Sequence, residues 1–299
     1  MDSTRHGGHN GKLGIIGGSG LYDIPGIEDV RERIVSTPWG EPSSAIVEGT
    51  LSGLPVAFLA RHGRGHVLNP SEVPYRANIA ALRSIGVTHV LSLSAVGSLQ
   101  EHFPPRTAVI PDQLIDMTRQ RARTFFENGI VAHVGLADPF CPAFRSMLAP
   151  IVADIVPSFH EGGTYVCIEG PQFSTRAESN LYRSWNAQII GMTAMPEVRL
   201  AREAGLCYAT VAMVTDYDVW HESEDDVTVE VVRRVMADNI AASREIVQRV
   251  AAAGLPICAT GCVDALTGAV ITAEDHLSDQ ARDLLAWFGM PSLAAPHSH

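Results

Sequence analysis

Leu13-Gly14-Ile15-Ile16-Gly17-Gly18-Ser19-Gly20 is an apolar run that passes directly into a loop with almost no side-chain bulk. Such a run reads as a buried strand, and the Gly-Gly-Ser-Gly segment as a tight turn at its end. Five more apolar runs of strand length follow, at 56–60, 87–93, 108–110, 165–168 and 208–214. Between them, 75–85, 175–185, 196–204 and 227–253 carry apolar residues at three- and four-residue spacing, with Pro196 at a helix start, where proline is tolerated. A last amphipathic helix is expected near 275–288. Strands alternating with helices predict an α/β fold, a central sheet flanked by helices.

Nothing divides the chain. It has no internal repeat, low-complexity tract or Pro/Gly/Ser linker, so one domain is expected over 13–290, between a disordered polar leader (1–12) and a flexible tail (291–299). With 46% hydrophobic and 18% charged residues in 299, there is ample material for a large core. No stretch reaches the roughly 20 apolar residues of a membrane span. The leader has no apolar segment after a basic start, so a cytoplasmic location is expected. The net charge of −11 argues against nucleic acid or anionic membrane as partner. Any anionic ligand has to be held locally.

Five cysteines form no tight framework and fit buried thiols in a reducing compartment. Cys258 and Cys262 are the only pair close in sequence. Without a second pair or a neighbouring His they read as structural thiols, and no metal or cofactor is expected.

Four clusters carry chemistry. Gly17-Gly18-Ser19-Gly20 lets backbone N–H groups and the Ser19 hydroxyl approach an oxyanion, although alone it is as readily a plain turn. It is neither a complete GxGxxG nor a Walker loop. Ala60-Arg61-His62-Gly63-Arg64-Gly65-His66 gathers cations after an apolar strand in an acidic protein, and the Arg61 fork suits a phosphate bidentately. Leu91 to Ser98 ends another strand in hydroxyls and a glycine, and three such strand tips can converge on one pocket. Thr215-Asp216-Tyr217-Asp218-Val219-Trp220 ends a strand in two acids. Partial burial would raise their pKa and suit them to acid catalysis or base recognition rather than to an EF-hand.

These segments, together with Ile168-Glu169-Gly170-Pro171-Gln172-Phe173-Ser174-Thr175-Arg176-Ala177-Glu178 and Gly191-Met192-Thr193-Ala194-Met195-Pro196-Glu197, resemble the purine nucleoside phosphorylase superfamily. The similarity runs in order from about 12 to 253, and Thr215-Asp216-Tyr217-Asp218 resembles its methylthioadenosine-cleaving branch. The resemblance implies a mixed central β-sheet and a phosphate site of Ser19, Arg61, His62, Ser94, Ala95 and Thr193. It implies substrate contacts from Met192 (ribose), Phe173 (purine), Tyr217, and Asp216 and Asp218 (N7 and the 6-amino group), with Asp216 as catalytic acid. Ser174, Val229, His66 and His133 would tune specificity, while Arg233 stands where the branch usually has an apolar residue. The partners implied are a nucleoside and phosphate as co-substrate, in a homotrimer or a dimer of trimers with His133 crossing to a neighbour. A 6-oxopurine or methylthioinosine phosphorylase of the same fold, a hydrolase, and a non-catalytic binding module are the competing readings.

Overall fold

The computed structural model describes residues 11–18, 24–221 and 229–290, with 229–234 described by backbone only. The opening run forms β1 (Lys12–Gly17), buried from residue 13 onward. Lys12 lies in this strand and pairs with the buried Glu48.

β1 lies between β4 (Leu54–Ala60) and β5 (Val87–Ser98), parallel to both, and β5 continues in parallel to β11 (Cys207–Asp216). Antiparallel β3 (Ile46–Leu51) and β2 (Ile27–Arg33) extend the sheet beyond β4. On its other side, β5 uses its last residues to pair antiparallel with β10 (Ile189–Gly191), followed by β9 (Thr164–Cys167) and β7 (Gln113–Asp116). From β11 a second branch leads to β6 (Thr107–Ile110) and β8 (Ser158–Glu161). The sheet is mixed, as the resemblance implies.

Both faces are covered. Leu13, Ile15, Phe58, Val211 and Met213 pack on one side with α2 (Pro142–Ile155) and α5 (Val229–Ala253). Ile16, Leu59, Ala212 and Val214 pack on the other with α1 (Tyr75–Ser84), α4 (Ala194–Glu203) and α6 (Asp279–Trp287). A strand buried on both faces needs no polar alternation, which is why β1 and β11 read as continuous apolar runs. α3 (Arg176–Ser184) begins with a capping box between Thr175 and Glu178 and contacts the short 3₁₀ turn Asp218–Trp220.

Sequence reading overlooked α2, whose Pro150 interrupts a helical pattern. It also overlooked β2, a charged and largely exposed edge strand, and the very short β7, β8 and β10. Among the described residues no helix is long and apolar enough to cross a membrane.

Candidate active site

The parallel register brings the ends of β1, β4 and β5 together: Gly17 pairs with Ala60, Ile16 with Ser92, and the Arg61 N–H donates to the Gly17 carbonyl at 3.1 Å. Arg61 is 2% exposed. Its Nε and Nη2 donate to the two Glu197 oxygens (2.5 and 3.1 Å), Nη2 also to Ser92 Oγ (2.7 Å), and Nη1 to the Leu93 carbonyl (3.4 Å). Burial disfavours the Arg61 charge, but the Glu197 carboxylate outweighs it and holds the guanidinium pKa above its usual value. The fork expected to face phosphate therefore grips Glu197, which also accepts from the Tyr208 hydroxyl at 2.8 Å. What Arg61 retains for an anion is one Nη1–H and its charge.

Beside it, the His62 Nδ1–H donates to the Leu68 carbonyl at 2.9 Å and the ring stacks on His66, centroids 4.2 Å apart. Burial, then the Arg61 charge, pushes His62 down to about 4, so at neutral pH the ring is neutral and Nε2 is an acceptor. An acceptor there suits the P–OH of monohydrogen phosphate. The Ser94 hydroxyl is buried without a partner, and its neighbour Ala95 is exposed although it lies within β5. Thr193 caps α4 by position but accepts no capping bond, and it lies against the Tyr165 hydroxyl. Only glycine fits at 191, because a Cβ there would sit 2.0 Å from that hydroxyl.

Three residues further along β5 the chemistry changes sign. Gly97 is paired with Asp216, and a Cβ at 97 would lie 2.9 Å from Asp216 Oδ1 and 3.3 Å from Asp218 Cβ, so the missing side chain lets both acids approach the strand. Asp216 accepts from the Thr215 hydroxyl (2.6 Å) and from the Asp218 N–H (2.9 Å), and burial raises its pKa. Asp218 is 6% exposed with φ of +52°, and its Oδ2 is buried without a partner. Burial pushes Asp218 up to about 6, assisted by the Asp216 charge and opposed by the nearby Ser179 hydroxyl. The Ser174 hydroxyl is likewise buried and unpaired, while Phe173 is 45% exposed. Buried polar atoms without partners are rare and call for a ligand or water to complete them.

Two residues that sequence reading missed hold these walls in place. Arg121, buried, donates to the carbonyls of Met192 (2.6 Å), Met195 (2.5 Å) and Glu169 (2.5 Å), and to Glu169 Oε1 (3.2 Å). Burial works against the Glu169 charge, but the Ser71 hydroxyl, two backbone N–H groups and Arg121 outweigh it and hold Glu169 down at about 2. Arg121 does not stand out locally in the sequence, because it meets its partners only across 46 to 74 positions.

The chain is similar to known enzymes over most of its length. A family model for the phosphorylase superfamily matches residues 12–252. S-methyl-5'-thioadenosine phosphorylase of Koribacter versatilis is 53% identical over 274 residues, covering 92% of this chain and 94% of that protein. The enzyme of the same name from Thermosynechococcus vestitus is 55% identical over 239 residues, 79% and 83% respectively. This chain belongs to the phosphorylase superfamily. A methylthioadenosine phosphorylase crystal structure from an antarctic soil metagenomic library superposes with a TM-score of 0.86 at 48% identity, over 93% of this chain and 98% of the other. One from Schistosoma mansoni, solved with adenine, superposes at 0.80 with 38% identity, over 89% and 99%.

In this phosphorylase, then, the structure gathers Arg61, His62, Ser94, Ala95 and Thr193 with Met192, Asp216 and Asp218 around the carboxyl ends of β4, β5, β10 and β11. Tyr217 is half-buried and stacks on His221. His66 is exposed, and His133 is exposed on a strip where 131–133 bonds to 269–271. Ser19 lies outside the described residues, and of Val229 and Arg233 only the backbone is described. A cleft of about 810 Å³ lies at the other end of the sheet, against Arg83, His89, Cys207 and Phe288, away from these acids.

Proposed function

We propose that this chain splits S-methyl-5'-thioadenosine with inorganic phosphate, giving adenine and 5-methylthio-α-D-ribose 1-phosphate. The observation that carries the reading is the juxtaposition along β5 of an anion-binding end (Arg61, His62, the unpaired Ser94 hydroxyl) and a buried acid pair (Asp216, Asp218). The activity named for the relatives supports it.

A phosphate oxygen forms a bond to C1' as the C1'–N9 bond breaks, and the electron pair of that bond passes to the purine. The Asp216–Asp218 pair delivers a proton to N7, so adenine leaves neutral. An acid held near 6 can exchange a proton close to neutral pH, as this step requires. The phosphate charge lies beneath the developing oxocarbenium ion, and pre-aligned donors stabilise it without reorganisation. Adenine is preferred over a 6-oxopurine because an exocyclic amine donates to a carboxylate, whereas a carbonyl oxygen would oppose it. Phosphate is a co-substrate and no cofactor enters the step. Ser19 and Thr193 complete the phosphate site, the Met192 backbone meets the ribose, Phe173 and Ser174 meet the base, and His66, His133 and Val229 bear on the 5' side. The exposed His133 fits a homotrimer in which it reaches a neighbouring site, in the cytoplasm, serving purine and methionine salvage.

Steady-state assays with methylthioadenosine, adenosine, inosine and methylthioinosine test the reading. Methylthioadenosine is expected to have the highest kcat/KM, and turnover is expected to stop without phosphate. A higher kcat/KM for inosine would overturn the adenine assignment, and undiminished turnover without phosphate would make the enzyme a hydrolase.

A further inference from the structure

The end of the sheet away from the acids carries a second constellation that phosphorolysis does not use. Cys207 opens β11, Cys141 is the N-cap residue of α2, and Cys258 and Cys262 lie in the segment that follows α5. All four Sγ atoms lie within 4.8 Å of one another, and those of Cys141 and Cys258 are 3.9 Å apart. Zinc–thiolate bonds of about 2.3 Å at tetrahedral angles put neighbouring sulfurs about 3.8 Å apart. A disulfide would need about 2.05 Å, and all five cysteines are free thiols.

We propose that Cys141, Cys207, Cys258 and Cys262 bind one zinc ion in a closed, structural tetrathiolate site. Cys258 and Cys262, with three residues between them, have the spacing of a zinc-binding turn, and Gly261 at φ of +75° lets the chain fold back within it. The Thr260 hydroxyl stands 3.3 Å from the Cys258 sulfur and 3.8 Å from that of Cys262, placed to donate to thiolates and orient them. The positive end of α2 favours a thiolate at Cys141. Three of the four residues are buried and Cys258 is half-buried, which closes the site while leaving an approach for the ion. Four soft ligands with no open position suit zinc in a structural role rather than a catalytic one. The sequence contains only half of this set in one place. Cys141 and Cys207 stand far from the Cys258–Cys262 pair and from each other, and only the fold makes them the second pair.

The site ties the segment after α5, which has little regular structure before α6, to β11 and α2. Metal binding energy would then contribute to folding. It is remote from the chemistry, since the nine steps from Cys207 to Asp216 span about 30 Å of strand.

The full chain, expressed without an affinity tag and purified without added metal, is tested by elemental analysis and thiol titration. One zinc per chain is expected, with five thiols titrating once the chain is unfolded with chelator. Cys262→Ser is expected to lose the zinc and to melt at lower temperature. Should that variant fail to fold, Cys258→His keeps four ligands: it is expected to retain metal, to shift the cobalt-substituted thiolate charge-transfer spectrum, and to keep the wild-type kcat. A metal-free chain that gains no stability on zinc addition, a chain with one titratable thiol and two disulfides, iron in place of zinc, or a Cys258→His protein whose cobalt spectrum matches the wild type would each overturn the proposal.

Discussion

β11 delivers reactive side chains to both of its ends, and the two ends treat them in opposite ways. At the carboxyl end, Asp216 and Asp218 are buried with too few partners: Asp218 Oδ2 and the hydroxyls of Ser94 and Ser174 are unmatched. At the amino end, Cys207 has three other sulfurs within reach. Unmatched polar atoms in a dry site raise the free energy of the folded chain and lower it again when a ligand completes them. Matched groups hold the chain together whether or not substrate is present. The contrast separates residues kept for turnover from residues kept for the fold, and substitutions at the two ends should separate the same way.

The largest effect is expected from Asp216→Asn, which keeps the size and an oxygen to accept from the Asp218 N–H but removes the proton. kcat/KM should fall by about 10³-fold, within the range of a lost general acid, while the melting temperature stays close to that of the wild type. Retained turnover would take Asp216 out of the mechanism. Arg61→Ala should test the contrast within one end, because Arg61 is matched to Glu197 and still keeps one Nη1–H for an anion. Removing one member of a buried ion pair leaves Glu197 uncompensated and should cost about 3–5 kcal/mol in denaturant unfolding, along with a raised KM for phosphate. A variant that loses only phosphate affinity would show that the Glu197 pairing is incidental.

Asp218→Asn should move activity and stability in opposite directions. Asp218 has its pKa raised from 3.8 to about 6, so between those values the folded chain holds a proton that the unfolded chain has lost. Its contribution to stability therefore declines as pH rises through that window, and above it the ionised, buried carboxylate costs about 3 kcal/mol. Asparagine tolerates the positive φ and carries no charge, so the variant should be more stable at pH 7 and less active. An unchanged unfolding free energy would mean that the carboxylate is already solvated.

The smallest effect concerns His62, lowered from 6.5 to about 4. Here the unfolded chain takes up the proton first, so stability is complete above pH 6.5 and declines as pH falls towards 4. The slopes of His62 and Asp218 oppose one another in the wild type. With Asp218→Asn the remaining melting curve should rise more steeply between pH 4 and 6.5, and a slope indistinguishable from wild type would sink this pairing of effects.

Much of this was legible in the amino-acid sequence, for identifiable reasons. The strands buried on both faces announce themselves as apolar runs, and glycine turns mark where they stop, so β1, β4, β5, β6, β9 and β11 could be read off directly. Arg61, Ser94 and Asp216 stand out as candidates because each follows such a run within a few residues. What stayed hidden depends on pairing across long sequence distances. Glu197 is an ordinary helix acid until Arg61, 136 positions away, turns into it. The strained geometry of Asp218 and the meeting of Cys141 with Cys258 have no local signature either.

Arg121 has a mechanical consequence. One side chain holds the carbonyls of Glu169, Met192 and Met195, so the loop that follows β9 and the start of α4 are lashed to a single post. Neither can swing without dragging the other, so the two segments can move only as one body about the buried guanidinium.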